Sequence, residues 1–349
     1  MIQPRRMPYP FFSSIVRSCY RHGGIGLLLS LSLLTARAHA DEKITFPSAD
    51  FSDKYQMALG SGKPREIFGY LSMPTVAVAG KIPVMVIAHG SGGVEPKERN
   101  FWAPYFNQLG FATFVVDSFT PRGVTRTVDD QTLVSRAANT VDAFHALAFL
   151  AADARFDANR IGIIGFSRGG NAANETATLT FRDNVLPQHK NLQFAFHIPM
   201  YVGCQDGRYR KNNSFDKTGA PMLFLLGGSD NYTPAAQCVG LITDMQQEYP
   251  GVIDYRVYDG ANHGFDGDYG VKYDGLGTTS RDCAVLEIDL KTWTRHITGS
   301  GELLPAAKVG EFYKKCVSRG VTFGAANTRY REMAKQDIEA FLRKINMIN

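Results

Sequence analysis

Arg160–Gly170 reads RIGIIGFSRGG, and the reading of the whole chain turns on it. RIGIIGF is a short apolar run with no polar break, the pattern of a strand buried on both faces. Gly165 and Gly169 then flank Ser167 as G-x-S-x-G, and RGGNAANETATL (168–179) opens a helix. A serine on so sharp a strand-to-helix turn is held in strained backbone, with its hydroxyl projecting beyond the end of the sheet. Side chains two residues to either side would collide there, which explains the glycines. The positive end of the new helix points at the same spot. A structural glycine turn would show the same local pattern. The decision therefore rests on whether the chain supplies a base, an acid and an oxyanion site at other strand ends.

Outward from this stretch, strands and helices alternate. REIFGYLSMP (65–74) reads as an early strand and IPVMVIAHG (82–90) as a buried one. FWAPYFNQLG (101–110) reads as a short helix and FATFVVDSF (111–119) as the next buried strand. TLVSRAANTVDAFHALAFLAAD (132–153) places Leu133, Ala137, Val141, Phe144, Ala148 and Ala151 at helical spacing. LQFAFHIPMYVGC (192–204) and PMLFLLGG (221–228) are strands separated by a polar loop. AAQCVGLITDMQQEY (235–249) is a helix, VIDYRVYDG (252–260) the last strand, and NTRYREMAKQDIEAFLRKI (327–345) an amphipathic terminal helix. This alternation predicts an α/β class domain, a mostly parallel central sheet with helices on both faces. Ligands in such sheets bind beyond the C-terminal strand ends. Residues 267–324 break the pattern. They are rich in Gly, Tyr and Lys, carry two cysteines, and are too long for a bare loop. They are expected to form an insertion in the C-terminal half, near the site.

The first forty residues have the layout of a signal peptide: a basic stretch, the short apolar run IGLLLSLSLL, and ARAHA with Ala38 and Ala40 at the small-residue positions. Cleavage is predicted between Ala40 and Asp41. The apolar run is too short for a stable span, so residues 41–349 are expected as one exported domain, periplasmic or secreted, with no membrane span. The leader carries Arg5, Arg6, Arg17, Arg21, Arg37 and no acid, so the formal charge of +5 becomes zero without it. That removes the basic balance as an argument for nucleic acid or anionic lipid. Cys204, Cys238, Cys283 and Cys316 remain, an even number without zinc-type pairing of close cysteines. Two disulfides are expected. Chain order favours Cys204–Cys238 and Cys283–Cys316, although four cysteines allow three connectivities.

Six histidines lie beyond the leader: His89, His145, His189, His197, His263 and His296. His263, in YDGANHGFDG, directly follows the last predicted strand and is the candidate base. His197 falls within a strand and His145 within a helix. The candidate acid is Asp230, in LLGGSDNYTP after a buried strand, with Asp206 in VGCQDG as the alternative. Asp117, Asp259 and Asp266 read as turn or solvent-facing residues. Ser167, Asp230 and His263 stand in the Ser…Asp…His order of α/β-hydrolases. AHGSGG (88–93) closes the first long buried strand, and its glycines free backbone N–H groups for an oxyanion. The expected donors are the N–H groups of Ser91 and Arg168, with His89 bracing the loop. Arg122 either binds a substrate carboxylate or pairs with a surface acid, the second being favoured. Phe119, Phe166, Tyr201 and Tyr232 line a pocket or fill the core.

ARFDANRIGIIGFSRGG, PMLFLLGGSDNYTP, YDGANHGF and PVMVIAHGSGG together resemble the dienelactone hydrolase family of α/β-hydrolases, over roughly Ile82–Phe265. The resemblance implies the α/β-hydrolase fold and a Ser/Cys–Asp–His triad on Ser167, Asp230 and His263. Two departures stand out. Founding members of the family carry cysteine where this chain has Ser167, and a glutamate where it has Gly90. Dienelactone as substrate and the special cysteine activation are therefore not carried over. The expectation is a serine hydrolase acting on a small ester or lactone through an acyl-enzyme, with no cofactor and no metal. A peptidase, thioesterase or acyltransferase with the same triad, or a non-catalytic binding protein on this scaffold, are the alternatives.

Overall fold

The apolar runs become strands of one twisted sheet, with polar and amphipathic segments packed over it. The computed structural model describes residues 41–349; the predicted leader and its cleavage position lie outside the described residues. The first half of the chain contributes β1 (Glu42–Asp50), α1 (Lys54–Leu59), β2 (Lys63–Ser72), β3 (Ile82–Ala88), α2 (Ala103–Gln108), β4 (Ala112–Asp117), α3 (Ala138–Ala152), β5 (Phe156–Phe166), α4 (Arg168–Glu175) and α5 (Leu179–Val185). β6 (His197–Met200), β7 (Arg208–Lys211), β8 (Ser214–Phe215), β9 (Met222–Gly227), α6 (Ala235–Glu248) and β10 (Ile253–Tyr258) follow. The last part holds β11 (Lys272–Thr279), β12 (Leu286–Asp289), β13 (Thr294–Ile297), β14 (Leu303–Leu304), α7 (Val309–Cys316), β15 (Ser318–Phe323) and α8 (Arg329–Lys344).

The main sheet has eight strands in the order β1-β2-β4-β3-β5-β6-β9-β10. β1, β2 and β4 pair antiparallel, and every pairing from β4 to β10 is parallel. Side chains on the central strands alternate between two apolar layers. Met85, Ile87, Ile164 and Phe166 join Trp102, Phe106, Phe196 and the α8 residues Ile338 and Leu342 on one face. Val84, Val86, Ile161 and Ile163 join Phe114 and the α3 residues Ala143, Leu147 and Leu150 on the other. Burial on both faces is why these strands read as unbroken apolar runs. Each large apolar side chain so buried stabilises the fold by roughly 1.5–3 kcal/mol.

Three expectations change. The helix read from residue 132 begins at Ala138, and Leu133, apolar and in helical register, is 56% exposed on the preceding loop. The carbonyls of Val134 and Ser135 accept from the Arg168 guanidinium, and Ser135 Oγ accepts the N–H of Ala137, so the helix starts after them. The polar loop between β6 and β9 folds into the hairpin β7–β8. VIDYRVYDG closes the main sheet, and five more strands follow it in the chain.

Those strands occupy the stretch that breaks the alternation. β11 pairs antiparallel with β15. β12 pairs parallel with β7, which joins it to β13, β14 and β8 in a five-stranded sheet. Two disulfides form, Cys204–Cys238 and Cys283–Cys316. Among the described residues, no helix is long and apolar enough to cross a membrane.

Candidate active site

Ser167 links the end of β5 to the start of α4 at φ 53° and ψ −111°, a region that residues with a side chain rarely occupy. The neighbouring glycines make the turn possible. A Cβ on Gly165 would collide with the Gly169 carbonyl oxygen, and one on Gly169 with that of Ala88. The serine backbone is tied on both sides. Its N–H donates to Met200 O and its carbonyl accepts from Asn171 N, each at 3.0 Å.

Loops after β9 and β10 bring the other two residues to this point. Ser167 Oγ lies 2.8 Å from His263 Nε2, and His263 Nδ1 lies 2.8 Å from Asp230 Oδ2. A carboxylate only accepts, so Nδ1 carries the imidazole proton and Nε2 is left to accept from the serine hydroxyl. Asp230 is itself fixed. Its Oδ1 accepts the N–H groups of Tyr232 and Thr233, each at 2.8 Å. Thr233 Oγ1 lies 2.9 Å from Asp230 Oδ2, 3.0 Å from His263 Nδ1 and 3.0 Å from the Tyr201 carbonyl. The imidazole packs between Tyr201 and Tyr232, with ring centroids 5.0 and 4.8 Å away.

Late segments of the chain clasp these loops. Gly324 N–H donates to His263 O at 2.7 Å, Thr279 Oγ1 to Tyr232 O at 2.7 Å, and Arg281 Nη1 to Asn231 O at 3.1 Å. Tyr201 has φ 36° and is held from below by Asp266, whose carboxylate accepts from Tyr201 OH and Trp102 Nε1 at 2.8 Å each. Lys97 Nζ adds a bond to Tyr201 OH at 3.0 Å. Burial, reinforced by Asp266, pushes the Tyr201 hydroxyl well above the usual tyrosine range, so it stays a donor. Asp266, read as a turn or solvent-facing residue, is instead fully buried. Its partners come from segments far away in sequence. The sequence marks Tyr201 and Tyr232 as pocket-lining or core aromatics, and both pack against the imidazole; it does not mark Thr233 or Lys97. Of those two, Thr233 carries a local signal, standing three residues after an aspartate at a turn.

The Ala88–Gly93 loop runs beside the serine. A Cβ on Gly90 would lie 3.1 Å from Phe166 O and 3.6 Å from Ser167 Cβ, so a side chain there has little room. Arg168 is the first residue of α4, and its N–H therefore has no acceptor within the helix. His89 is fully buried. Its Nε2 accepts the Ser118 N–H at 3.1 Å, so its Nδ1 donates to Gly90 O at 2.7 Å. Burial pushes this imidazole down, keeping it neutral.

Other candidates fall elsewhere. Asp206 lies 3.5 Å from Lys54, on a different network from His263. Asp117 caps its own turn through the N–H groups of Phe119 and Thr120, and Asp259 is exposed. His197 is buried, with Nδ1 2.8 Å from Ala173 O, and burial together with Lys217 pushes it down to about 3. Arg122 is buried against Asp142 and Asp50, at 2.7 and 2.8 Å. Its acids are structural, and Asp142 is interior rather than on the surface. Phe119, Phe166 and Tyr201 are core, while Tyr232 is part-buried against the imidazole.

The family model for the dienelactone hydrolase family matches residues 67–280. The chain belongs to the dienelactone hydrolase family. It is thus a hydrolase of the carboxylic ester hydrolase type, with the α/β-hydrolase fold. Similar solved structures include a candidate dienelactone hydrolase from Klebsiella pneumoniae, 19% identical, covering 65% of this chain and 90% of that one at a TM-score of 0.45. Another is the apo form of esterase 2 from Thermogutta terrifontis, 19% identical, covering 57% of this chain and 81% of that one at a TM-score of 0.45. No curated protein matches the chain.

Proposed function

We propose that this member of the family is an exported serine esterase, with Ser167 as nucleophile, His263 as general base and acid, and Asp230 as the residue orienting the imidazole. The observation that carries the reading is the unbroken relay of two 2.8 Å contacts from Ser167 Oγ through His263 to Asp230 Oδ2. His263 Nε2 takes the hydroxyl proton as the serine oxygen attacks the carbonyl of a small ester or lactone. The backbone N–H groups of Ser91 and Arg168 receive the oxyanion. One such donor is worth about a hundredfold to a thousandfold in kcat. The tetrahedral intermediate collapses as His263 protonates the leaving alcohol. Water, deprotonated by the same nitrogen, then releases the acid and restores Ser167. Export is supported by the signal-peptide layout of the first forty residues and by the two disulfides.

The test is Ser167→Ala with a p-nitrophenyl ester. The variant should fold and lose nearly all activity, and a fluorophosphonate probe should label the wild type and not the variant. Full activity in the variant would refute the assignment. A matched panel of esters, thioesters and peptides, each assayed for hydrolysis and for transfer to an added alcohol, separates the esterase from its relatives with the same triad.

A further inference from the structure

The residue after the nucleophile carries a buried guanidinium. Arg168 donates from Nε to Asn139 Oδ1 (3.0 Å), from Nη1 to Gln131 Oε1 (3.2 Å) and Thr127 Oγ1 (3.4 Å), and from Nη2 to the carbonyls of Val134 (2.7 Å) and Ser135. Every one of these partners is a neutral oxygen. Burial, with the nearby charges of Arg136 and Arg122, pushes this arginine down to about 10, so it remains a cation at neutral pH. A buried charge without an opposite partner is costly, and its placement here calls for a reason.

Its partners lead to one place. Asn139 Nδ2 donates onward to the carbonyl of His89 at 3.3 Å. Gln131 Nε2 donates to Ser91 Oγ at 3.0 Å, and the Thr127 N–H donates to the Ser91 carbonyl at 2.7 Å. Three arms from one guanidinium thus reach both sides of Gly90. The peptide between Gly90 and Ser91 is fixed as well, because His89 Nδ1 holds the Gly90 carbonyl. In a trans peptide the N–H points opposite to the carbonyl, so the Ser91 N–H is turned away from the His89 ring.

We propose that the Arg168 side chain is a positioning residue that builds the oxyanion hole, clamping the Ala88–Gly93 loop against the first turn of α4 so that the Ser91 and Arg168 N–H groups meet at one point. The inference rests on the serine esterase reading above. It gives the arginine two parts: its backbone is a donor, and its side chain holds the other donor in place.

The test compares wild type, Arg168→Lys and Arg168→Met in kcat, KM, affinity for an arylboronic acid and thermal unfolding. The boronate forms a tetrahedral anion on the serine and reports the oxyanion hole directly. Clamping predicts a kcat loss of about a hundredfold with KM changed by less than about threefold, and boronate affinity falling by a similar factor. A folded variant with unchanged kcat, or one that raises KM alone, overturns the proposal. If the Arg168 variants do not fold, Gln131→Ala and Asn139→Ala each cut one arm. Each should lower kcat about tenfold, and the double variant should lose less than the product of the two, since both arms hold one loop. Wild-type kcat in both single variants, or a fully multiplicative double loss, overturns it. Ser167→Ala in the same assay separates the two levels. Activity there would defeat the serine reading, whereas an inactive Ser167→Ala beside a fully active Arg168→Lys would defeat only the clamp.

Discussion

Arg122 and Arg168 anchor opposite ends of the loop between β4 and α3, and the protein treats them differently. Arg122 is matched by acids. Asp142 receives its Nη1 and Nη2 at 2.7 and 3.1 Å, Asp50 receives its Nε at 2.8 Å, and Ser118 O takes a further bond. Arg168 is equally hidden but meets only amide, hydroxyl and carbonyl oxygens. The first arrangement neutralises its charge and fastens β1, α3 and the loop together. The second ties an unpaired guanidinium to the 127–139 segment, whose Thr127 and Gln131 contact Ser91. Two arginines that look alike in the sequence thus serve stability in one case and catalytic geometry in the other.

Removing Arg122 should break the difference most sharply. Arg122→Met strands Asp142 in the interior, where Ser48 Oγ, 2.6 Å away, still donates to it but no cation does. Stripping one partner from a buried pair costs about 3–5 kcal/mol. Denaturant unfolding should show that loss, while kcat per folded molecule stays within about twofold of wild type. A hundredfold fall in kcat in well-folded Arg122→Met would erase the distinction between the two arginines. The next effect is smaller and opposite in sign. Arg122→Met combined with Asp142→Leu removes both charges, and at least about half of the lost stability should return, because buried pairs tolerate joint apolar replacement. Asp50 keeps Arg65 as its partner in that background. No recovery would mean that the pair serves more than charge balance.

The sequence favours an acid partner for Arg122 but names neither Asp142 nor Asp50, and it does not show what the Arg168 side chain meets; the reason is distance. The G-x-S-x-G turn is a local feature, legible because strand, turn and helix follow within a few residues. Asp230 and His263 are legible because parallel strands bring their C-terminal ends together, so chain order and strand ends suffice to name them. The Arg168 side chain instead meets residues 29 to 41 positions away on a loop with no periodicity. The same contacts stop α3 from starting at residue 132, although Leu133 fits the helical spacing. Asp266 misleads for a related cause. Flanking glycine favours a turn, but Trp102 and Tyr201, 164 and 65 residues away, draw the carboxylate inside. The small strands after residue 270 escape a sequence reading because β12 finds its parallel partner in β7, far back in the chain.

A buried acid offers the converse of Arg168. Glu98 Oε2 accepts the Glu95 N–H at 2.8 Å, while Oε1 is buried with no hydrogen-bond partner. Burial pushes this carboxyl up to about 8. Lys97, 3.9 Å away, opposes the shift, and the charges of Glu95 and Asp266 add to it. Arginine cannot shed its proton at neutral pH, but a carboxyl can keep one, so this site escapes an unpaired charge by protonation. The folded value lies above the ordinary 4.5, so the native state holds the proton between the two. The stability linked to Glu98 is therefore complete below about pH 4.5 and is lost as pH rises toward 8. Glu98→Gln keeps the shape and the acceptor for Glu95 N–H without the titration. It should melt at a higher temperature than wild type at pH 8, with the gap closing toward pH 5. Melting curves that stay parallel across that range would show that Glu98 is already ionised in the fold, with Lys97 compensating it as Asp142 compensates Arg122.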